Sequence, residues 1–592
     1  MSLAKIQEVQ DKGVILLVGA PGAGKSTFCH QALLRNISMD RPVILVTTEQ
    51  EPQEVIKLLR QRGLGETEEL NMVDAFTQTV GLKCSPGAGI ICANCSDLNS
   101  LSIAITKLRE RKGLKNALLI FDSLTSPYLF NGTEIIKFMR LFLSKFVSEN
   151  NAVLATVDEG CGRQEDIGAM ESVSDGIMRI EKNKGFIALE VIKHPGMEAG
   201  NIEIPLEPKL EEFKYGVNYD RDVMLQFFKS LWKGSENIRK EVGDYVNLFW
   251  PNLAHWSCML WDPKEFPKMI YKLNRYEGSI GREIIPLMPM GMRIPARMML
   301  AAQSVGLFVP KIFNTVKNMK LFLKTPLFLT TELERSGVVK YLDNISKTDE
   351  HYFRVYDNSD CCGFENIGCA IASHIPPMIA GGFKGMEIEQ REWNAIETKC
   401  IGLGDPYCEF KLVPREIEEL EASLEKDISV IKKIHERLIE RLLGFILEEK
   451  PLVNRPKLGS DVHLHVVMHG MGFPHLAGER YKMAQRMGGS RTGREIGKRL
   501  MDTGLDSDEA LRRVFNFMDY CKVGKITRKD NTIRIIENCE CMRTKLFTRI
   551  KEPSCYFTTG FLNGLLLAAK QKRVMETKCI VAGDPYCEWE IV

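Results

Sequence analysis

Along the first ~210 positions, short apolar runs alternate with amphipathic stretches. VILLVG (14–19), VILVTT (43–48) and ALLIFD (117–122) are short and mostly aliphatic, whereas EPQEVIKLLRQRG (51–63) repeats its apolar positions at helical spacing. Strands alternating with helices predict an α/β domain with a mostly parallel sheet over 1–213. A boundary falls near Lys214, after which Met, Phe and Trp become frequent. Segment 214–413 is followed by PREIEELEASLEKDISVIKKIHERLIERLLGFILEEKP, opened by Pro414 and closed by Pro451, with Ile417, Leu424, Ile431 and Leu438 spaced by sevens. This spacing predicts one long amphipathic helix over 414–451, packed on its own protein or dimerising, with Asp427 interrupting its seam. A last segment covers 452–592.

The second and last segments close on nearly the same words: ETKCIGLGDPYCEFKL (397–412) and ETKCIVAGDPYCEWEI (576–591). They are an internal repeat of unequal copies, the first carrying extra material.

At 592 residues the chain predicts several domains, and a net charge of +2 with 26% charged residues gives no global basic field for nucleic acid. The start MSLAKIQEVQDKG lacks the pattern of a secretory signal, and no stretch is apolar enough to span a bilayer, so a soluble cytoplasmic protein is expected. Seventeen cysteines in such a chain point to buried thiols, metal ligands or redox groups rather than a disulfide scaffold.

Gly19, Ala20, Pro21, Gly22, Ala23, Gly24, Lys25, Ser26 and Thr27 spell GAPGAGKST between an apolar strand and the helical FCHQALLR. In such a P-loop, backbone N–H groups cradle phosphate oxygens, Lys25 neutralises β/γ charge and Ser26 offers its hydroxyl to Mg²⁺. Asp122, at the end of NALLIFDS, supplies a carboxylate for the metal shell, and Glu49, at the end of VILVTTEQ, one for the attacking water. ATP and Mg²⁺ are the expected cofactors.

The order GAPGAGKST, VTTEQEPQEV, LLIFDS and VSDGIMRIEKNKGFIALEVIKHPG resembles the RecA-like ATPases of the KaiC type over about the first 210 residues. The resemblance implies a Glu pair serving the water; this chain keeps Glu49 and has Gln50 beside it, which cannot take a proton. It also implies rings in which Lys193 reaches a neighbour's nucleotide, with Pro195 standing where an Arg is common, and hence a homo-oligomer, dimer or ring.

In the repeat, Glu397, Cys400 and Cys408 bring one carboxylate and two thiolates together, because GLGDPY between the cysteines folds the chain back. Such a set suits Zn²⁺ and needs a fourth ligand. In the second copy Glu576, Cys579 and Cys587 are joined by Cys555; in the first, Cys369 stands at the corresponding helix start, with Cys361 or Cys362 as substitutes. The alternative is a set of buried thiols packing a hairpin.

A Cys opening a Gly-containing apolar helix, then ETKC and GDPYCE, is similar to the vinyl-4-reductase domain. In the second copy the similarity extends through RPKLGSDV, GGSRTGREIGKRLMDTGLDSDEALRRVF and IRIIENC. It implies a structural zinc held by Cys, Glu, Cys, Cys beside a closed apolar pocket, in domains that sense aromatic small molecules or redox state, including archaeal regulators. The expected fold is thus an α/β RecA-like P-loop domain followed by two α+β vinyl-4-reductase-like domains joined by a long helix.

Three further groups stand out. Cys84, Cys92 and Cys95 form a chance cluster or a redox group; His463, His465, His469 and His475 are pocket or surface residues or a metal site; Trp250, Trp256 and Trp261 line a core or a ligand pocket. The function expected is an ATP-binding, archaeal regulatory protein, hydrolysing ATP and sensing an aromatic or tetrapyrrole-like small molecule or redox state. The alternatives are an ATP-driven chaperone or cofactor-delivery factor with a protein partner, and a non-hydrolysing switch. Direct DNA binding is not expected, since no helix-turn-helix is evident.

Overall fold

The computed structural model describes the chain apart from residues 1–11, 39–40, 63, 66–67, 88, 184–185, 206–220, 234–237, 280–322, 325–326, 387–390, 416–423, 454, 468–473 and 548–552. The chain forms two compact units, Met1–Lys209 and Leu210–Val592. Lys214, where composition shifts, lies outside the described residues.

In the first unit, uninterrupted apolar runs become strands because both faces of a parallel sheet are buried. The strands are β1 (Gly13–Gly19), β2 (Val43–Thr47), β3 (Asn71–Asp74), β4 (Ile90–Cys92), β5 (Leu118–Phe121), β6 (Ala152–Asp158), β7 (Gly176–Asn183), β8 (Phe186–Lys193) and β9 (Gly200–Pro205), in the order β4-β3-β2-β5-β6-β1-β7-β8-β9. Strands β1 to β7 run parallel and β8 and β9 return antiparallel. Val14, Leu16 and Val18 of β1 pack with Leu101, Ile105 and Leu108 of the Leu98–Lys112 helix. That helix opens where Asp97 accepts a hydrogen bond from the Asn99 amide and closes at Gly113. The order leaves β6 between the P-loop strand β1 and β5, the strand before Asp122.

The second unit contains two antiparallel sheets of the same plan. One has the order β11 (Val338–Tyr341), β12 (His351–Tyr356), β14 (Cys408–Pro414), β13 (Trp393–Lys399); the other β16 (Lys525–Lys529), β17 (Thr532–Ile536), β19 (Cys587–Ile591), β18 (Val574–Lys578). Even their irregularity repeats, a register shift after Glu397 in β13 and after Glu576 in β18. Behind each lies a close helix pair, Glu265–Ser279 with Ile375–Met386 and Pro474–Asp502 with Tyr556–Lys570; a Cβ added at Gly381 or Gly564 would strike the backbone of the paired helix. Strand β10 (Tyr245–Asn247), ahead of the first sheet, pairs antiparallel with β15 (Asp461–His463), ahead of the second.

The connecting helix is shorter than its sevens imply. It runs Ile428–Glu448, and Asp427, placed by spacing inside the seam, is its N-cap, accepting a hydrogen bond from the Ser429 amide. Glu425–Asp427 is not helical, and residues 416–423, with Ile417, lie outside the described residues. Ile431, Ile434, Leu438, Ile439 and Leu442 are buried, so the helix packs within its own unit. Trp250, Trp256 and Trp261 are core residues of the Phe249–Trp261 helix. No helix among the described residues is long and apolar enough to cross a membrane.

Candidate functional site

Gly19 ends β1, and the loop Ala20–Gly24 runs into the Lys25–Ser38 helix. Lys25 Nζ donates to the Gly19 and Ala20 carbonyls at 2.8 and 2.9 Å and pairs with Asp158 Oδ1 at 2.6 Å, at the end of β6. The ammonium thus sits at the mouth of the loop. Ser26 is exposed at the head of the helix, and Thr27 Oγ1 accepts from Arg62 at 3.3 Å.

Just past β5, Asp122 Oδ1 accepts from the Thr48 amide at 3.0 Å and its hydroxyl at 2.9 Å. Burial pushes this carboxyl up to about 7; the Thr48 hydrogen bonds oppose the shift and the charge of Glu49 adds to it. Glu49 and Gln50 are exposed, one step beyond Thr48. The loop and Lys25 suit a nucleotide's phosphates, and Ser26 and Asp122 are the residues that would hold its magnesium ion. Lys193 ends β8 and donates to the Ser174 carbonyl at 3.0 Å.

Each repeated stretch supplies two sulfurs to a thiol cluster. The Glu lies on a strand, the first Cys just beyond its bulge, and the second Cys opens the next strand. The turn between them is held by its own Asp: Asp405 and Asp584 accept from the amides of Cys400 and Cys579, both at 2.9 Å. Gly404 (φ +98°) and Gly583 (φ +114°) take the backbone geometry that side-chain-bearing residues avoid.

In the second cluster Cys541, Cys555, Cys579 and Cys587 place their sulfurs within 4.8 Å of one another, all buried. Measured Sγ–Sγ distances are 2.9 Å (541–555), 3.5 Å (541–579), 3.3 Å (555–587) and 3.9 Å (555–579). A tetrahedral zinc thiolate site spaces its sulfurs by about 3.8 Å, so the donor set fits an ion. Hydrogen bonds from Cys541 and Cys555 drive the Cys579 thiol far below its ordinary value, while burial raises Cys541 and Cys555.

In the first cluster the sulfurs are Cys361, Cys400 and Cys408, with distances of 3.8 Å (361–400), 3.4 Å (361–408) and 3.9 Å (400–408). Hydrogen bonding with Cys361 and Cys400 brings Cys408 down to about 5. Cys369 does not join this group; the chain approaches Cys400 through Ile371, whose amide donates to its Sγ at 3.4 Å.

The sequence thus places Cys400, Cys408, Cys555, Cys579 and Cys587, which the structure gathers, but does not single out Cys541. A signal for it exists: Asn358-Ser-Asp-Cys361 and Asn538-Cys-Glu-Cys541 match. Asp360 accepts from the Ser373 and His374 amides and Glu540 from those of Phe557 and Thr558, fixing the loop that brings in the extra sulfur. Glu397 and Glu576 lie beside the thiols, raised well above the carboxylate range first by burial. They are not within the mutual 4.8 Å groups.

The remaining groups resolve as follows. Cys84 and Cys92 form a disulfide between the loop after β3 and β4, and Cys95 is a buried free thiol. His463 ends β15, 2.7 Å from Ser230 Oγ, and His465 lies between Glu277 (2.8 Å) and Glu334 (3.0 Å). The strand stops at His463, so the two rings do not share a strand face. His469 lies outside the described residues, and His475 is the second residue of the Pro474–Asp502 helix.

Comparison with known proteins places the P-loop and the second thiol cluster in domain families. A UPF0273 protein of Methanocaldococcus jannaschii is 37% identical over 79 residues, 12% of this chain and 33% of that protein. One of Pyrococcus furiosus is 29% identical over 181 residues, 29% of this chain and 71% of its own, and one of Thermotoga maritima is 26% identical over 127 residues, 20% of this chain and 51% of its own. The chain thus spans about a third of the first relative's length and more of the second's. The family model of the KaiC ATPase matches residues 6–193 and that of the vinyl-4-reductase domain matches residues 531–592. The P-loop domain is accordingly of the KaiC type, and the second thiol cluster lies within a vinyl-4-reductase-like domain.

Proposed function

We propose that the chain is an ATP-hydrolysing regulator whose C-terminal unit holds two zinc ions and reads a small molecule or redox state. The observation that carries this reading is the union, in one chain, of a complete P-loop and two buried thiol clusters with sulfur spacings suited to a metal. Lys25 neutralises phosphate charge, Ser26 and Asp122 would hold a magnesium ion, which would supply charge at the terminal phosphate, and Glu49 orients water. Thiolate-rich ligation favours zinc, which holds the hairpins to their helices.

The shared strand order, bulge and Asp-held turn support reading the first half as a second vinyl-4-reductase-like domain. Lys193 is proposed for a contact between subunits of a homo-oligomer.

The test is zinc content and ATP turnover on one preparation of wild type, Lys25→Ala and Cys579→Ser. The reading expects two zincs, loss of one in Cys579→Ser with altered turnover, and no turnover in Lys25→Ala. Metal-free protein, or turnover that survives Lys25→Ala, overturns it; turnover indifferent to Cys579→Ser removes the coupling between the units.

A further inference from the structure

The two clusters share three cysteines and a glutamate but differ at one place. In each, an amide donates to the sulfur that follows the bulge, Ile371 to Cys400 and Ser554 to Cys579, both at 3.4 Å. The next residue is Cys555 in the second cluster and Ala372 in the first. Four sulfurs therefore meet in one and three in the other.

The glutamates respond to this difference. The Glu397 carboxyl takes the amide of Ala372 and contacts the Cys400 thiol, and its Oε1, a buried atom, has no hydrogen-bond partner. The Ala372 amide and the charge of Lys426 offset part of the hydration this carboxylate loses, and a metal cation would supply the partner its unpaired oxygen lacks beside the three thiols. Glu576 also leaves Oε1 unpaired and touches the Cys555 and Cys579 thiols, but its Oε2 accepts from Thr559 at 3.2 Å, and that hydroxyl also takes the Trp589 indole N–H at 2.8 Å. Its carboxylate is thereby tied to the helix, and the corner beside it is filled by Cys555. A tetrahedral ion has no fifth position to give it.

We propose that the chain holds two chemically different metal sites: a closed four-thiolate site of Cys541, Cys555, Cys579 and Cys587 that leaves Glu576 out, and a mixed site in which Glu397 completes Cys361, Cys400 and Cys408. The presence or absence of Cys555 decides which set forms. The mixed site, with one hard oxygen donor, gives up its ion more readily than the four-thiolate site. This inference rests on the proposed reading that both clusters hold metal.

The full chain, cleared of zinc and titrated with cobalt(II), tests it, because sulfur-to-cobalt charge-transfer absorption scales with the number of thiolates. Cys400→Ala leaves the second site to be read alone and Cys579→Ala the first. The expected intensities per ion stand as four to three. In these backgrounds Glu397→Gln, nearly isosteric, shifts the ligand-field bands of the first site and weakens its binding at least tenfold, whereas Glu576→Gln leaves the second unchanged. Cys555→Ala retains one ion in the second site, lowers its intensity by one thiolate and makes it sensitive to Glu576→Gln. Equal intensities at both sites, or a second site that shifts with Glu576→Gln while Cys555 is present, overturn the inference and leave metal binding standing. Absence of cobalt from both clusters overturns the inference together with the reading beneath it.

Discussion

Arg239 and Arg455 make the same hydrogen bonds in opposite halves of the C-terminal unit. Each Nε donates to a glycine carbonyl four residues on, Gly243 at 2.6 Å and Gly459 at 2.7 Å, and each Nη2 to a carbonyl six residues on, at 3.1 Å in both. Each Nη1 crosses over: Arg239 to the Lys522 carbonyl at 2.7 Å, Arg455 to that of Arg335 at 2.6 Å. The exchange is completed by Glu537, which accepts from the Lys240 and Glu241 amides, and by Asp357, which accepts from those of Lys457 and Leu458. The unit is built like a two-fold dimer whose halves swap their leading segments, within one chain.

Removing either guanidinium strands several buried carbonyls at once. Arg239→Ala and Arg455→Ala should each destabilise the unit by on the order of 3 kcal/mol. All six tryptophans lie in this unit, between positions 232 and 589, so their fluorescence during guanidinium unfolding reports it without interference from the ATPase domain. A loss below about 0.5 kcal/mol in both variants would show that the crossed bonds do not hold the halves together.

Chelation should act on the same signal. A structural thiolate site couples ion binding to folding, so stripping the metal is expected to lower the tryptophan unfolding midpoint, while the ATPase domain, followed by nucleotide binding, keeps its own.

At the nucleotide, Glu49→Gln should retain ATP binding and lose turnover by about 100-fold, the usual scale of a lost general base. Lys25→Ala should lose both. Equal turnover in Glu49→Gln and wild type would move the water-orienting role elsewhere.

His465 gives the C-terminal unit a pH dependence of known sign. Burial disfavours the charged ring, but Glu277 and Glu334 outweigh it and carry the group up to about 9 from 6.5. A pKa raised in the folded state adds stability that is complete below about 6.5 and is lost as pH rises through about 9. The contribution is on the order of 3 kcal/mol at neutral to acidic pH. Urea midpoints between pH 6 and 10 should fall in the native chain, and His465→Gln should flatten that slope.

How much is readable in the sequence depends on how local each feature is. The P-loop is contiguous, flanked by its own strand and helix, and Gly19 to Thr27 take the predicted places. The Glu and two Cys of each hairpin are equally visible, because one tight turn joins them. Cys361 and Cys541 arrive from a different segment, and only the tertiary fold sets their distance from the hairpin. Asp427 misleads for another reason: a helix-capping Asp and an interrupted heptad look alike until the backbone on its N-terminal side is known. Arg239 escapes notice because RKEVG and RPKLG share only an Arg and a Gly, the donor and acceptor of each local Nε bond.

The fusion of two swapped halves has a genetic consequence. In a dimer of identical subunits, every mutation is inherited by both faces, so loss of one cysteine removes it from both sites together. Duplication within one gene lifts that constraint while the linker keeps the halves together at any cellular concentration. Ala372 in one copy and Cys555 in the other can then be selected separately.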